Sequence, residues 1–278
     1  MIVRPHRVTS GLIIFFVLVW SLVPILQMVV LSLTPTAETF AGKLWPQNPT
    51  FENFRTVVNQ DHFYLRHFWH QLWNSIFVGV TTALLVLVVA TLASYAVTRL
   101  RSRWGRHLSR VALVSYLVPA AFLSIPLYIV MGEYGLLNSQ WALILSLVAF
   151  ASPYGIWVLC NYAQTIPGEL DEAAKVDGAA TMQIFFLIYL PLMRPALLAI
   201  GTHALLVAWN EYLYAFMLLS SETQQTIPVM LGHFLVTDDA PWNLLMATSI
   251  IYALPPIAIY YAVRQYMVAG LTFGAVKK

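Results

Sequence analysis

Long apolar runs recur along this chain, and they constrain its fold more than any other feature. A helix needs about 20 consecutive apolar residues to cross the hydrocarbon core of a bilayer. Charged residues make up only 10% of the chain, whereas they make up about 25% of a typical soluble domain. A chain this apolar needs a non-aqueous solvent, and the sequence therefore predicts an all-α membrane protein with several spans.

The apolar runs divide the chain into six predicted transmembrane helices. We expect them at about residues 11–33, 73–97, 108–130, 140–162, 195–219 and 243–266. The first run follows basic residues, as in a signal peptide, but it is too long and no small-residue cleavage site follows it. We therefore expect a retained first span (1–33), an extracytoplasmic loop (34–72) with a helix near 51–58, a core with spans 2–6 (73–266) and a tail (267–278).

The distribution of basic residues predicts the orientation. Of the 15 Lys and Arg residues, only Lys43, Arg55 and Arg66 lie outside if the N-terminus is inside, which leaves twelve on the inner side. Cytoplasmic loops of membrane proteins carry an excess of Lys and Arg. We therefore expect both termini in the cytoplasm.

The loop at 163–193 contains the longest partly polar segment on the predicted cytoplasmic side. The first helix is expected to open at Pro167-Gly168, because proline suits the first helical position. The acidic residues Glu169, Asp171 and Glu172 would then lie in the first turn, where negative charge is favourable. Asp177-Gly178 is typical of a helix end, because glycine readily adopts the left-handed conformation. Thr181 is a candidate cap for a second helix that ends at Leu190-Pro191. The loop therefore predicts two short helices joined at a glycine.

One face of the first short helix is suited to docking. By helical periodicity this face comprises Leu170, Ala173, Ala174 and Asp177. The face is small and only mildly apolar, so it would fit closely into a groove on another protein. An ordinary cytoplasmic loop between two spans is the alternative interpretation.

The same loop resembles the EAA loop of bacterial ABC importer permeases at every fixed position over about twenty residues. The resemblance implies that the two helices couple the spans to an ATPase subunit. The residues that it assigns to this role are Glu172, Ala173, Ala174, Asp177, Gly178, Ile188, Leu190 and Pro191.

Weaker motifs along most of the chain are similar to those of the carbohydrate-importer branch, in particular the six-span maltose-transporter permease. These are Phe51–Phe54 (FENF), Asn74-Ser75, Ser94–Leu100 (SYAVTRL), Ile125–Tyr128 (IPLY), Gly135–Asn138 (GLLN), Trp209–Glu211 (WNE) and Gly270–Lys277 (GLTFGAVK). Relatives often end in Gly where this chain has Lys278. In the family this tail reaches toward the ATPase dimer interface, so the departure from the pattern bears on that contact.

The resemblance implies a type I ABC importer permease fold in the bacterial cytoplasmic (inner) membrane. It also implies three kinds of protein partner: a second homologous permease, an ABC ATPase dimer and an extracytoplasmic sugar-binding protein. The implied substrate is a disaccharide, an oligosaccharide or a polyol. ATP and Mg would be used by the partner ATPase and not by this chain.

A polar and aromatic group lies in the predicted fifth span, at Trp209, Asn210, Glu211 and Tyr212. Glu211 falls near the middle of that span, where an ionisable residue suggests a functional site. Aromatic rings beside hydrogen-bonding groups also suit a sugar. We expect this group to border the translocation path, and the alternative is a structural hydrogen bond to a neighbouring helix.

The outer loop Ser220–Trp242 is the expected docking segment for the binding protein, with Gly232, His233, Thr237 and Asp238 as candidate contacts. At over twenty residues it is longer than most connectors. A plain connector is the alternative.

Several motifs are missing from the sequence. The only Gly-Lys pair, Gly42-Lys43, is followed by Leu44, so there is no phosphate-binding loop, and no zinc-protease or serine-hydrolase motif occurs. The lone Cys160 excludes an intrachain disulfide and offers no cysteine-based metal site. The basic run 99–110 is better explained by topology and membrane lipid headgroups than by nucleic acid.

The chain is therefore expected to be a transport subunit and not an enzyme. A secondary transporter of a small polar solute is the main alternative, although such proteins usually show coupling carboxylates, broken helices or internal repeats. A channel or a membrane-embedded scaffold is less favoured. Dependence on a separate ATPase would distinguish the importer from all three.

Overall fold

The computed structural model describes residues 5–42, 44–100, 105–236 and 240–274, and these residues form helices and loops with no β-strand. The helices are α1 (Pro5–Ser32), α2 (Glu52–Asn59), α3 (Phe68–Thr98), α4 (Gly105–Tyr116), α5 (Ala120–Glu133), α6 (Gln140–Ala163), α7 (Glu169–Val176), α8 (Thr181–Ile184), α9 (Leu190–Trp209), α10 (Leu213–Leu218), α11 (Ile227–His233) and α12 (Trp242–Gly274). A π-helical segment, Phe185–Tyr189, joins α8 to α9.

Five of the helical stretches in the described residues are long and apolar enough to cross a membrane. They are Thr9–Ser32, Phe68–Thr98, Gln140–Ala163, Thr181–Trp209 and Trp242–Arg264. A sixth crossing is possible if the pair Arg110–Tyr116 and Ala120–Glu133 counts as one broken span. The helix α2 lies where the sequence predicted one in the first loop.

The predicted third span is not a single helix. Its two parts, α4 and α5, meet at a bend of 97°. Pro119 is the residue that precedes α5, with φ −56° and ψ 132°. Proline cannot donate a backbone hydrogen bond, and it disfavours helical geometry in the residue before it. The helix therefore stops before Pro119 and restarts in a new direction.

The predicted fifth span was wrong at both ends. The helical stretch begins at Thr181 rather than at Pro195, and it ends at Trp209 rather than at Leu219. Pro195 lies inside α9, and a proline can be accommodated within a membrane helix when neighbouring groups satisfy the freed carbonyl. Glu211 consequently lies in a break after the span and not in its middle.

The last helix is longer than predicted. The helix α12 continues to Gly274, so residues 267–274 of the predicted tail are helical. The second span also starts earlier than predicted, at Phe68. The first and fourth spans differ from the prediction by only a few residues at their ends.

The chain divides into two compact units. The first unit comprises residues up to Phe68 and Met230–Leu254, and the second comprises Trp69–Val229 and the residues from Pro255 onward. In the first unit, the Asn53 side-chain amide donates to the carbonyls of Ser32 and Thr34, at 2.8 and 2.9 Å. The Asn243 amide donates to Asn53 Oδ1 at 2.9 Å. Two buried asparagines therefore tie the end of α1, α2 and the start of α12 together.

The core of the second unit lies where α3, α6 and α9 pack together. A Cβ on Gly155 of α6 would lie 3.2 Å from Ala90 Cβ on α3 and 3.2 Å from Ile200 Cγ2 on α9. A Cβ on Gly201 would lie 3.0 Å from Leu87 on α3. Small residues at such points let membrane helices approach closely, so these glycines set the spacing of the three helices.

Candidate coupling surface

The first predicted coupling helix is α7, and its ends explain the turn that follows. Asp177 is the residue at its C-terminus, and its backbone N–H donates to the carbonyl of Ala173. Gly178 then has φ +83°, in the left-handed region where residues with a Cβ are disfavoured. The prediction of a helix end at Asp177-Gly178 is confirmed.

Two local predictions about these helices were wrong. Pro167 is not the first helical residue, because α7 starts at Glu169 after Gly168. Thr181 does not cap the second helix, because Ala180 holds that position and donates its backbone N–H to Gln183 Oε1 at 2.7 Å. A side chain three residues into the helix thus satisfies the N–H that precedes it, as in half of a capping box.

The predicted docking face of α7 is open. Leu170, Ala173 and Asp177 are exposed, and Ala174 is half-buried. Among the predicted coupling residues on this helix and its turn, Glu172 and Gly178 are also exposed. Val176 is 88% exposed, and Met182 at the start of α8 is 68% exposed. The exposed surface is small and mildly apolar, which suits a docking helix.

The opposite face of α7 is held by an ion pair that the sequence analysis did not identify. Asp171 Oδ2 lies 3.5 Å from Arg99 Nε, just after the end of α3, and both side chains are about 10% exposed or less. Arg99 Nη2 also donates to the carbonyl of Ile166 at 3.2 Å. Asp171 was noted only as a first-turn acid, and its inward orientation is set by its position on the helix opposite Ala173.

The second predicted coupling helix contacts the same end of α3. Tyr95 donates its hydroxyl to the carbonyl of Thr181 at 3.3 Å. The hydroxyls of Ser94 and Tyr189 are 2.9 Å apart and share a hydrogen bond, and the Arg99 guanidinium lies 5.8 Å from the centre of the Tyr189 ring. The motif Ser94–Leu100 therefore contributes three residues that anchor both predicted coupling helices.

The final part of the EAA pattern lies at the start of a span and not at the end of a loop. Ile188, Leu190 and Pro191 are all half-buried, and Pro191 is at the beginning of α9. A proline cannot donate to the preceding turn, and the π-helical segment directly before it is a form of helix found at such irregularities. The second helix thus continues through this segment into the span.

A comparison of the sequence with protein families decides the assignment. The family described as "Binding-protein-dependent transport system inner membrane component" matches residues 87–272 of the 278. The chain belongs to this family. It is an ABC importer permease of the inner membrane, a transport subunit rather than an enzyme, and the match includes α7, α8 and the residues of α3 that anchor them.

Individual relatives agree with the family assignment. The permease is 34% identical to the trehalose transport system permease of Mycobacterium tuberculosis over 93% of each chain. It is 31% identical to the trehalose/maltose transport system permease of Thermococcus litoralis, covering 92% of this chain and 91% of that one.

A solved structure confirms the fold. A chain from a bacterial ABC transporter involved in the import of the acidic polysaccharide alginate matches with a TM-score of 0.80 at 24% identity, covering 96% of the permease and 99% of that chain. The permease therefore has the type I importer permease fold.

The residues predicted to border the path have different environments. Trp209 is 4% exposed, and its ring lies 3.6 Å from the position of a Cβ on Gly79. Glu211 is partly buried, and its Oε1 accepts from the backbone N–H of Tyr214 at 2.8 Å. Asn210 is exposed, and Tyr212 is 43% exposed with its ring stacked on Phe216. Trp209 and Glu211 therefore have structural contacts, while Asn210 and Tyr212 remain accessible.

The structure also shows an aromatic cluster inside the second unit that the sequence analysis did not recognise. Tyr154 of α6 lies 4.7 Å from His203 of α9 and 5.4 Å from Tyr116 of α4, measured between ring centres. Phe150 and Trp157 extend the cluster along α6. Spacings of three and four residues on α6 put Phe150, Tyr154 and Trp157 on one helix face, which is the pattern that could have revealed them.

The predicted outer loop is fixed at its start by side chains of α3 and by Asn138. Asn74 Nδ2 donates to the carbonyls of Thr223 and Gln225, and Asn138 Oδ1 accepts from the backbone N–H groups of Ser220 and Ser221. The motifs Asn74-Ser75 and Gly135–Asn138 therefore both hold the start of this loop. Gly232 and His233 lie at the end of α11, while Thr237 and Asp238 lie outside the described residues.

Proposed function

We propose that this permease forms half of the translocation pathway of an ATP-driven importer for a neutral sugar, delivered by an extracytoplasmic binding protein. The observation that carries the proposal is the coupling surface, in which α7 exposes its small-residue face and is fixed to the spans by its opposite face. The names of the trehalose and trehalose/maltose permeases support a sugar of two or more units. A polyol is the other substrate class that the sequence resemblance implies.

The proposed partner at the coupling surface is an ABC ATPase dimer. A helix whose exposed side carries Leu170, Ala173 and Val176 presents apolar area that a partner groove would cover. Its acidic first turn adds negative charge at one end. ATP and Mg would be bound by the ATPase, and its closure would push on α7 and α8. A second, homologous permease would supply the other half of the pathway.

The accessible residues in the break after α9 support a sugar pathway. Asn210 and Tyr212 are the two members of the predicted group that remain open to a solute. The Tyr154, Trp157 and His203 rings offer further aromatic area without a formal charge. Aromatic rings stack on the C–H faces of sugars and neutral hydrogen-bonding groups suit their hydroxyls, so this lining favours a neutral solute over an anionic one.

The proposed docking segment for the binding protein is the outer loop that begins at Ser220. Ser220, Glu222 and Thr223 are exposed, while backbone groups of the same segment are held by α3 and Asn138. A loop with a fixed backbone and exposed side chains can be recognised without a large ordering cost. Gly232, His233, Thr237 and Asp238 remain proposed contacts. The charge distribution supports cytoplasmic termini, which puts this loop outside.

The function is tested by uptake in proteoliposomes that contain the permease, its partner permease and the ATPase, with the binding protein added outside. We expect uptake of radiolabelled trehalose, maltose or sorbitol that requires internal ATP. Uptake should stop when the ATPase is omitted. Uptake driven by an ion gradient without the ATPase would contradict the proposal and favour a secondary transporter.

A further inference from the structure

The helix α3 is held by polar contacts at its outer end, where it meets the outer loop. Gln71 Nε2 donates to the carbonyl of Glu222 at 2.9 Å. Asn74, which is 2% exposed, donates to Thr223 at 2.8 Å and to Gln225 at 2.9 Å. One turn of α3 therefore binds the backbone of the loop that we propose as the docking segment.

A third residue of the same turn completes this contact. Ser75 Oγ accepts from the backbone N–H of Ile227 at 3.0 Å, and Ser75 is itself buried. Because these groups are buried, any movement of the loop away from α3 would leave polar atoms without partners. Such loss costs about 1–3 kcal/mol per group.

The other end of α3 is held to the coupling helices. The Arg99–Asp171 ion pair fixes α7, and Tyr95 and Ser94 bind Thr181 and Tyr189 on the second coupling helix. Separating a buried ion pair is unfavourable because it leaves an uncompensated charge. A displacement of α7 must therefore either move α3 or break this pair.

Between its two ends, α3 is the span best suited to move as one body. Its 31 residues correspond to a length of about 46 Å. The other four single-helix spans in the described residues contain an internal proline, at Pro24, Pro153, Pro195 and Pro255-Pro256. The helix α3 contains none, and proline is a principal cause of kinks in helices.

We propose that α3 is the positioning element that links the binding-protein loop to the coupling helices, with Asn74 and the Arg99–Asp171 pair as its two fixed ends. The inference rests on the proposed function, because it takes the two connected surfaces as the sites of the binding protein and the ATPase. Occupation of the loop would shift α3 and thereby change the position of α7. Linkage requires the reverse as well, so that movement of α7 alters the loop.

The test uses the complete transporter in proteoliposomes with its sugar-loaded binding protein, and it compares N74A, D171N and the double variant. We expect each single variant to assemble with the ATPase and to keep basal ATP hydrolysis. Stimulation of hydrolysis by the loaded binding protein should fall at least about 5-fold, the lower end of typical coupling between sites. Stimulation in the double variant should be no lower than in the more affected single variant, because both changes interrupt the same connection.

Two matched controls remove similar groups elsewhere. N161A removes an exposed amide that bonds within its own helix, and E133Q removes an exposed carboxylate at the end of α5. Neither should reduce stimulation. D171E retains the negative charge and should keep most of the stimulation of hydrolysis. If D171N lost stimulation only through general instability, retaining the charge would not restore it.

Three outcomes would overturn the inference. These are normal stimulation in an assembled single variant, losses that multiply in the double variant, or a loss in D171E equal to that in D171N. Failure of the proposed function is distinguishable, because the wild-type complex itself would then show no stimulation by the binding protein, and the inference would fall with it.

Discussion

Gly178 shows how a single residue shapes the coupling surface. A Cβ at this position would meet no atom within 4 Å apart from those of the two neighbouring residues, so crowding between α7 and α8 is not what requires the glycine. The constraint is the φ of +83°, which Asn tolerates far better than a β-branched residue. We predict that G178N retains co-purification of the ATPase and that G178V loses most of it, because its strain of about 1–3 kcal/mol displaces the turn. Equal loss in both variants would show instead that the ATPase groove excludes any side chain there.

Asn53 connects three segments of the first unit. Its amide and its carbonyl oxygen are both used, by α1, the segment after it and Asn243. We predict that N53A lowers the stability of the detergent-solubilised protein by about 1–3 kcal/mol, because buried polar groups lose their partners. The measurement is the melting temperature. N59A, an exposed change on the same helix, should leave it unaltered, and an equal effect of the two changes would contradict this role.

At the scale of elements, α10 depends on the carboxylate that precedes it. Glu211 accepts from the N–H of Tyr214, and the Tyr214 hydroxyl donates to the carbonyl of Ala120 at 2.7 Å. We predict that E211A destabilises the protein by about 0.5–2 kcal/mol, the usual cost of a lost helix cap. E211Q should be milder because its amide oxygen can still accept. Thermal melting and sugar uptake measured together separate the two roles: a loss of uptake in E211Q at unchanged stability would return Glu211 to the pathway.

At the scale of the whole molecule, the predicted orientation can be measured by labelling. The chain contains one cysteine, Cys160, which is buried, so background labelling should be low. We predict that E52C, on the first outer loop, reacts with a membrane-impermeant maleimide in intact cells. V176C, at an 88% exposed position of the coupling surface, should react only after permeabilisation. Labelling of V176C from outside would contradict cytoplasmic termini.

The sequence by itself determined the class of the protein, the approximate spans and the presence of two short helices, α7 and α8, in the loop at 163–193. These features depend on local properties: the length of an apolar run, a short motif, and a glycine after a helix whose first turn is acidic. The same local information misplaced the end of the fifth span, because the apolar residues after Glu211 resemble a continuation of the span although the helix stops at Trp209. It also treated Glu211 as a membrane-centre charge, whereas it caps a short helix.

The tertiary structure alone decided which side chains meet. Asp171 and Arg99 are 72 positions apart in the sequence and Asn74 and Gln225 are 151 apart, so no pattern within a single segment identifies either contact. The direction of the chain at Pro119 was equally undetermined, since a proline predicts a break but not an angle of 97°. These features arise when helices pack. Burying a charge or an amide is favourable only where packing brings a partner from elsewhere in the sequence within hydrogen-bonding distance.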